Sequence, residues 1–532
     1  MTADGAAAPQ LDEWGPSRRA AVAAGLLLCA LYAATAAPAP VPWDGPEFAA
    51  AYATFGIPHP PGTPLVVAFG RSMVAMLGPF VGIGLAASWA SGVAAAIAGA
   101  LLAWTLARRG LGDGAATVVA VGVGTSATWW SSATEPEAYG AALALGMGIL
   151  LAASEAGLAA QRRHDARAWR WRLVAAYGLG LAPAVHQVAW VVVPGAVILA
   201  WPRADEWSWR RAASGVAVTA LGATAVAVLH ARGIHAPPAL MGDAATVQGT
   251  WDILTRAAYE SPGWWPRRIG FGWQALMPVQ YLLDQYSWGW SSLAPWQVAR
   301  FGVAIGVVVP LIGVGMTWWL TRDRRMAWAL LALLVVGSLG VAWHLNLRLG
   351  ATLGWGIVSD ATPREVRERD TFFLMPITAW GLLTMTGVMA MARGRATLGL
   401  LGLAMWIGVA WPVFDRSIAP RDVVYAERLE SALATTPVRA VVLAGTDWDA
   451  FGLWYAQVAE GRRHDLTVVT LGLLGDAGYR RRLEAAAPGL VPPLGHVESD
   501  AVRHIRGWAA ARGRPVVRGP WTPPSVLSGA EW

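Results

Sequence analysis

Apolar runs of about 20 residues recur from Ala20 to Phe414, and nothing else in the chain constrains its fold as strongly. In hydrocarbon every backbone N–H and C=O must find a partner within the segment, so such runs cross a membrane as helices. The fold class is therefore an all-α polytopic membrane protein. Only 14% of the 532 residues are charged, against about a quarter in a soluble protein, which excludes an ordinary globular enzyme. Apolar windows place about eleven spans near 20–37, 81–107, 115–130, 137–159, 172–183, 185–201, 211–230, 301–320, 326–346, 372–392 and 396–413. The fifth and sixth are short, and Pro183 can break them into a bent pair.

The net charge of +7 comes from arginine, since the chain has no lysine. This matches a high-GC bacterial coding bias, so the basicity does not argue for nucleic acid as a partner. Position is more informative. Arg18–Arg19, Arg108–Arg109, Arg162 to Arg172, Arg203 to Arg211, Arg322 to Arg325 and Arg393 to Arg395 fall between alternate spans, hence on one side. The positive-inside rule makes that side cytoplasmic. The expected organisation is a cytoplasmic N-terminus (1–19), a transmembrane part (20–414) with outer loops 38–80 and 231–300, and an extracytoplasmic tail (415–532). The first span also fits a signal peptide, whose cleavage would leave the rest of this topology unchanged. In the loop 231–300, Trp251, Trp264, Trp265, Trp273, Trp288 and Trp290 suit the headgroup layer. The tail reads as a small α/β domain, with strands at Val438–Leu443 and Leu466–Leu471 and helices at Phe451–Glu460 and Tyr479–Ala487.

The outer loops hold the chemistry-bearing motifs. The first reads W-D-G-P-E-F, then G-I-P-H-P-P-G-T-P. Asp44 and Glu47 would share a helical face. Their spacing also fits a capping box, while their place at the membrane lip fits acid–base chemistry on a membrane-bound substrate. The second loop, S-S-A-T-E-P-E-A-Y, offers Thr134 with Glu137 as another box and leaves Glu135 unexplained by capping. His59 and His186 lie at outer positions, where packing is the commoner role for a lone histidine. No His/Glu set has metal-ligand spacing, and a single cysteine, Cys29, excludes a disulfide framework and any cysteine-cluster metal site. No cofactor is expected, though nothing in the sequence argues against a divalent metal. Arg364, Arg367 and Arg369 lie on the outer side against the positive-inside bias; a solvated charge run and a phosphate site both fit them. Asp447-Trp-Asp449 follows a strand and opens a helix, which favours a turn and cap over a nucleotide-sugar motif.

W-D-G-P-E-F-A-A-A-Y with H-P-P-G-T-P-L resembles the opening signature of the bacterial domain of unknown function 2723 family, which is similar to protein O-mannosyltransferases. T-E-P-E-A-Y (134–139), R-E-V-R-E-R-D (364–370) and A-G-T-D-W-D (444–449) continue the resemblance in order along the chain, although Gly45–Pro46 stands where that family often has Cys or Ser. The resemblance implies a glycosyltransferase of the C superfamily, working at the outer face of a bacterial cytoplasmic membrane. It implies an inverting transfer from a polyprenyl-phosphate sugar, such as mannose, to an exported protein or glycan. In that reading Asp44 is the general base. Glu47, Glu135, Glu137, His59 and His186 orient the base, donor or acceptor, and Arg364, Arg367 and Arg369 hold the lipid phosphate. A transporter or lipid flippase is the competing class, but it would carry charges at mid-membrane depth, where these spans have almost none.

Overall fold

The structure is a computed structural model that describes residues 15–525 apart from 39, 239–240, 258, 260–262, 287–301, 303, 354–357, 360, 414–422 and 494–497. Trp288 and Trp290, and the junction of the membrane part with the tail, lie outside the described residues.

The chain is mostly helical. Its first half runs through α1 (Gly15–Thr35), α2 (Gly45–Thr54), α3 (Pro64–Val81), α4 (Ile83–Arg108), α5 (Asp113–Gly124), α6 (Ala127–Thr134), α7 (Tyr139–Gln161) and α8 (Asp165–Val185). A 3-10 turn, Gln187–Val192, leads into α9 (Val193–Ala200). Then come α10 (Trp209–Ala223), α11 (Ala227–Ile234), α12 (Val247–Thr255), α13 (Phe271–Asp284), α14 (Val309–Arg322), α15 (Arg324–Val335), α16 (Val341–Leu345), α17 (Leu374–Met391) and α18 (Ala396–Val413). Among the described residues, eight helices are long and apolar enough to cross a membrane, and Asp113–Gly124 and Gln187–Ala200 are shorter apolar helices. The protein is a multi-pass membrane protein.

Small residues let these helices approach closely, as packing in lipid requires. A Cβ on Gly140 of α7 would lie 2.5 Å from the Ser91 carbonyl oxygen of α4, and one on Gly25 of α1 would lie 3.2 Å from the Ala100 methyl. Leu28 and Tyr32 of α1 are buried in the seam, and the Tyr32 hydroxyl donates to Gly124 O at 2.8 Å.

The arginine-rich loops gather at one end of the bundle. Arg109 reaches Asp323 at 2.7 Å, Arg108 pairs with Glu155 at 2.6 Å, Arg172 with Glu206 at 2.6 Å and Arg203 with Asp165 at 2.8 Å. The loops carrying Asp44, Glu135 and Arg367 meet at the opposite end. There Ala37 N donates to Thr134 O at 2.8 Å, and the Trp130 indole donates to Thr35 Oγ1 at 3.0 Å. The sequence treats 38–80 as a loop, yet 64–81 is a helix long and apolar enough to span. Both of its ends lie at the carboxylate end. It begins beside α2, and at Gly82 it turns into α4, whose Ser88 donates to Ala37 O at 2.9 Å. It therefore runs along that layer rather than through the bundle.

Beyond residue 422 the chain forms α19 (Val423–Thr435), β1 (Val441–Ala444), α20 (Asp447–Trp454), β2 (Thr467–Thr470), α21 (Ala477–Ala486), α22 (Glu498–Ala510) and β3 (Val516–Arg518). The strands form one parallel sheet in the order β2-β1-β3, with Val441 opposite Thr467 and Val516. All of β1 is buried, as expected for a central parallel strand covered on both faces. This unit sits on the carboxylate end of the bundle: Tyr455 packs into the cluster around Phe48 and Tyr52 of α2, and Arg481 pairs with Asp243.

Candidate active site

The W-D-G-P turn builds the centre of the site. Trp43 has φ +69°, a left-handed conformation costing a non-glycine residue about 1–2 kcal/mol. Asp44 follows, and Pro46 stands in the first turn of α2, where its missing N–H costs no hydrogen bond. Asp44 occupies the N-cap position, but its side chain caps nothing; Oδ2 instead accepts from Arg367 at 2.7 Å, across 323 residues of chain. The capping-box reading of Asp44 and Glu47 is thereby replaced, because Glu47 is also engaged elsewhere. Its two oxygens take the His59 backbone N–H and ring Nδ1, each at 2.6 Å.

The second loop joins the same recess. Val41 and Pro136 lie against Gly45, where a Cβ would come within 2.7 Å of the Val41 methyl and 3.5 Å of Pro136. Thr134 is the last residue of α6 and bonds back to Trp130 O, so the second capping box is absent too. Glu135 adopts an extended conformation (φ −129°, ψ 157°) and Glu137 is 7% exposed. The Glu137 backbone N–H donates to Ser91 Oγ at 3.0 Å. Both glutamates feel the charges of Asp44 and Arg367.

The late outer loop is pinned by its neighbours. Glu365 N donates to Leu349 O at 2.8 Å, Tyr281 Oη donates to Glu368 at 2.9 Å, and Asp370 accepts from Thr128 Oγ1 at 2.6 Å. Its three arginines then take different roles. Arg367 reaches Asp44. Arg369 pairs with Glu365 at 3.2 Å yet still acts on Asp44 through its charge. Arg364 spends Nη1 on the carbonyls of Gly350, Ala351 and Leu353, at 2.7 Å from the last, and so braces the loop. His186 is set deeper: its Nδ1 accepts from Val188 N at 3.2 Å, capping the 3-10 turn, and its ring lies 5.2 Å from that of Tyr139.

These groups are mostly buried, and their titration follows from that. Burial pushes Asp44 up, but the His59 and Arg367 charges more than reverse it, so Asp44 stays ionised below the usual aspartate range. Burial pulls His59 down, but Glu47 and Asp44 raise it to about 9. Burial raises Glu47 despite His59. Glu135 is raised by burial to about 7, with Arg367 opposing and Asp44 assisting. One ionised carboxylate, one guanidinium, one imidazolium and a carboxyl titrating near neutrality therefore share a recess.

Asp44, Glu47 and His59 bring one potential ligand atom each within 4.8 Å of one another, a grouping that linear spacing conceals. Three protein ligands suffice for a catalytic divalent ion. Their oxygens and Nδ1 are already engaged, however, with one another and with Arg367. Two further groups carry no signal in the sequence: Trp43, whose ring lies 4.9 Å under the Arg367 guanidinium, and Tyr259, whose hydroxyl is raised by burial and by the Glu47 and Asp44 charges. Tryptophan in a membrane protein reads as an interfacial anchor, so only proximity to Asp44 hints at a site role.

Residues 44–209 match the family model described as the N-terminal domain of the protein O-mannosyl-transferase TMEM260. No curated protein matches the chain. Among solved structures it is similar to ArnT from Cupriavidus metallidurans bound to undecaprenyl phosphate, with 13% identity, TM-score 0.45, and coverage of 94% of this chain and 88% of that one. The apo state of ArnT aligns with 14% identity, TM-score 0.44, and coverage of 94% and 84%. The family match opens at Asp44 itself and takes in Glu47, His59, Glu135, Glu137 and His186, so over this stretch the chain is similar to a protein O-mannosyl-transferase.

Proposed function

We propose that this chain is a membrane glycosyltransferase of the C type. It moves a sugar, mannose in the first instance, from a polyprenyl-phosphate donor to a hydroxyl of an exported protein at the outer face. The observation that carries the reading is the Asp44–Arg367 pair, 2.7 Å apart inside a recess of buried carboxylates. It sets an ionised base beside a cation suited to a phosphate. On binding, the donor phosphate takes the Arg367 guanidinium, which frees Asp44. The acceptor hydroxyl oxygen attacks the anomeric carbon from the face opposite the phosphate, and its proton passes to Asp44. The carbon–oxygen bond to phosphate breaks, the electron pair stays on the phosphate, and Arg367 stabilises the charge that grows there. The product is inverted at the anomeric carbon. Glu47, held by His59, keeps α2 and the Asp44 turn in register, and Glu135 faces the same recess as an orienting group for the acceptor.

The family match over residues 44–209 supports this chemistry. The gathering of basic loops at the opposite end of the bundle supports an extracytoplasmic site, because arginine-rich loops stay in the cytoplasm. The test offers purified protein radiolabelled polyprenyl-phosphate mannose and a nucleotide-linked mannose in parallel, with exported proteins as acceptor. Transfer from the lipid donor is expected. Transfer from the nucleotide sugar alone would overturn the donor, and transfer from neither would remove mannose.

A further inference from the structure

The D-x-D of the tail divides into two residues with opposite fates. Asp449 is fully buried and saturated. It accepts from Trp521 N at 3.0 Å, from Thr522 Oγ1 at 2.7 Å and from Thr446 Oγ1 at 2.8 Å, with Thr446 capping α20. This half of the motif holds the turn together. Asp447, two residues earlier, keeps solvent access, and its carboxylate has no hydrogen bond or ion pair among the described residues.

The turn that carries this carboxylate abuts the acidic recess. Its neighbour Trp448 packs edge-on against Trp43, with centroids 5.5 Å apart, and Trp43 immediately precedes Asp44 and underlies Arg367. Tyr425 stacks on Trp521 at 4.6 Å and meets Trp448 at 6.0 Å, fixing the Trp448 ring from behind. The Tyr425 hydroxyl also donates to Trp448 O at 2.8 Å. The Asp447 charge is coupled to Asp44, His59, Arg367 and Arg369, the groups that surround the base. The seat is firm: Tyr455 packs among α2 side chains, Arg481 pairs with Asp243, and Arg482 donates to Gly242 O at 3.2 Å.

We propose that Trp43, Trp448 and Asp447 form the wall that receives the sugar ring of the donor, and that Asp447 is a specificity-determining residue supplied by the tail. The inference rests on the donor assigned above. A sugar held by its phosphate at Arg367, with its anomeric carbon facing the Asp44 side, extends toward the two indoles. A pyranose presents a face of C–H groups and an edge of hydroxyls. Rigid aromatic rings suit the first, and an unpartnered carboxylate accepting from hydroxyls suits the second. The placement gives the tail a role at the site: its sheet carries Asp447 and Trp448 to a recess whose other groups come from the membrane part.

The test uses the full-length protein. Kinetics with polyprenyl-phosphate mannose and polyprenyl-phosphate glucose are compared for the unaltered chain, Asp447→Asn and Asp447→Glu. Asp447 is exposed and unbonded, so these variants keep the fold. Loss of a hydrogen bond to a charged group should raise donor KM on the order of ten- to a hundredfold for Asp447→Asn. The turnover number should change less, the preference between the two sugars should narrow, and Asp447→Glu should recover part of the loss. In parallel, a donor bearing a diazirine on its sugar is photolysed on the unaltered protein, and the labelled peptides are mapped. Labels on the peptides of Trp43 and Trp448 are expected. Unchanged KM and sugar preference in Asp447→Asn, or labels confined elsewhere, would overturn the subsite. Labelling at the two tryptophans without any transfer would defeat the proposed reaction and still support the sugar site.

Discussion

At the residue scale the site turns on Asp44. Asp44→Asn should leave the protein folded and membrane-embedded while lowering transfer by about 10²–10⁴-fold, the usual range for a general base. Near-normal turnover would pass the role to Glu47 or Glu135. The pH profile separates these carboxyls. With Asp44 as base, the acidic limb of kcat/KM should lie below the usual aspartate range, because His59 and Arg367 favour its charged form. A limb near 7 would assign the base to Glu135 instead. On the alkaline side, His59 is held to about 9, above the ~6.5 of a free imidazole. Its stabilising contribution is therefore complete below the unfolded value and lost as pH rises through 9. Activity and melting temperature should both decline in that window. Because Arg367 and the His59 imidazolium already balance these carboxylates, transfer should persist in excess EDTA. Loss of activity on chelation, restored by a divalent ion, would make Asp44, Glu47 and His59 metal ligands. The sequence singles out all of these residues, but spacing alone pairs Asp44 with Glu47, whereas their partners in space are Arg367 and His59.

At the scale of elements, glycine decides where helices cross. Gly315 of α14 and Gly387 of α17 face each other's helix: a Cβ on Gly315 would strike Leu383 O, and one on Gly387 would strike Leu311 O. Backbone cannot yield as a flexible side chain can. Gly315→Leu or Gly387→Leu should therefore separate the two helices and lower the melting temperature by several degrees, a loss of about 2–4 kcal/mol. Gly313→Leu, with open space at its Cβ, should not; equal melting of all three would remove the crossing argument. Periodicity finds most helices within a few residues but misses their breaks. The expected span 115–130 is really α5 and α6 with a turn at Thr125–Ser126, since Thr125 Oγ1 and Ser126 N bond back to Gly122 and Val123 carbonyls. In the tail, β1 starts three residues later than Val438 because Arg439 takes a left-handed φ of +61°. The strand β3 has only three residues, too few for alternation to register.

At the scale of the whole molecule, the bundle has a basic end and a carboxylate end, with the α/β unit seated on the latter. Exposed tryptophans mark both levels: Trp201, Trp207 and Trp209 at the approach to and start of α10, and Trp251, Trp264 and Trp265 after α11. Two such belts fit the two headgroup layers. The tail should accordingly face outward. With Cys29 replaced, a cysteine at Ser525 should react with an impermeant thiol reagent on intact cells. Protection until lysis would invert the topology and place the carboxylate recess in the cytoplasm.

By itself the sequence determined the solvent in which this chain folds and which of its loops lie together on one side. Both follow from local properties, the length of an apolar run and the charge between runs. It also marked the residues able to do chemistry, the carboxylates of the outer loops and the arginines that lie there against the positive-inside bias. Which of them meet was decided only by tertiary structure. The Asp44–Arg367 contact joins positions 323 residues apart, and it depends on how the loops are braced: Gly45 against Pro136, Arg364 on three carbonyls, Asp370 on Thr128. The split of Asp447 from Asp449 has the same origin. Identical side chains two residues apart differ because one lies under Thr522 and the other stays exposed, and no local pattern carries that information.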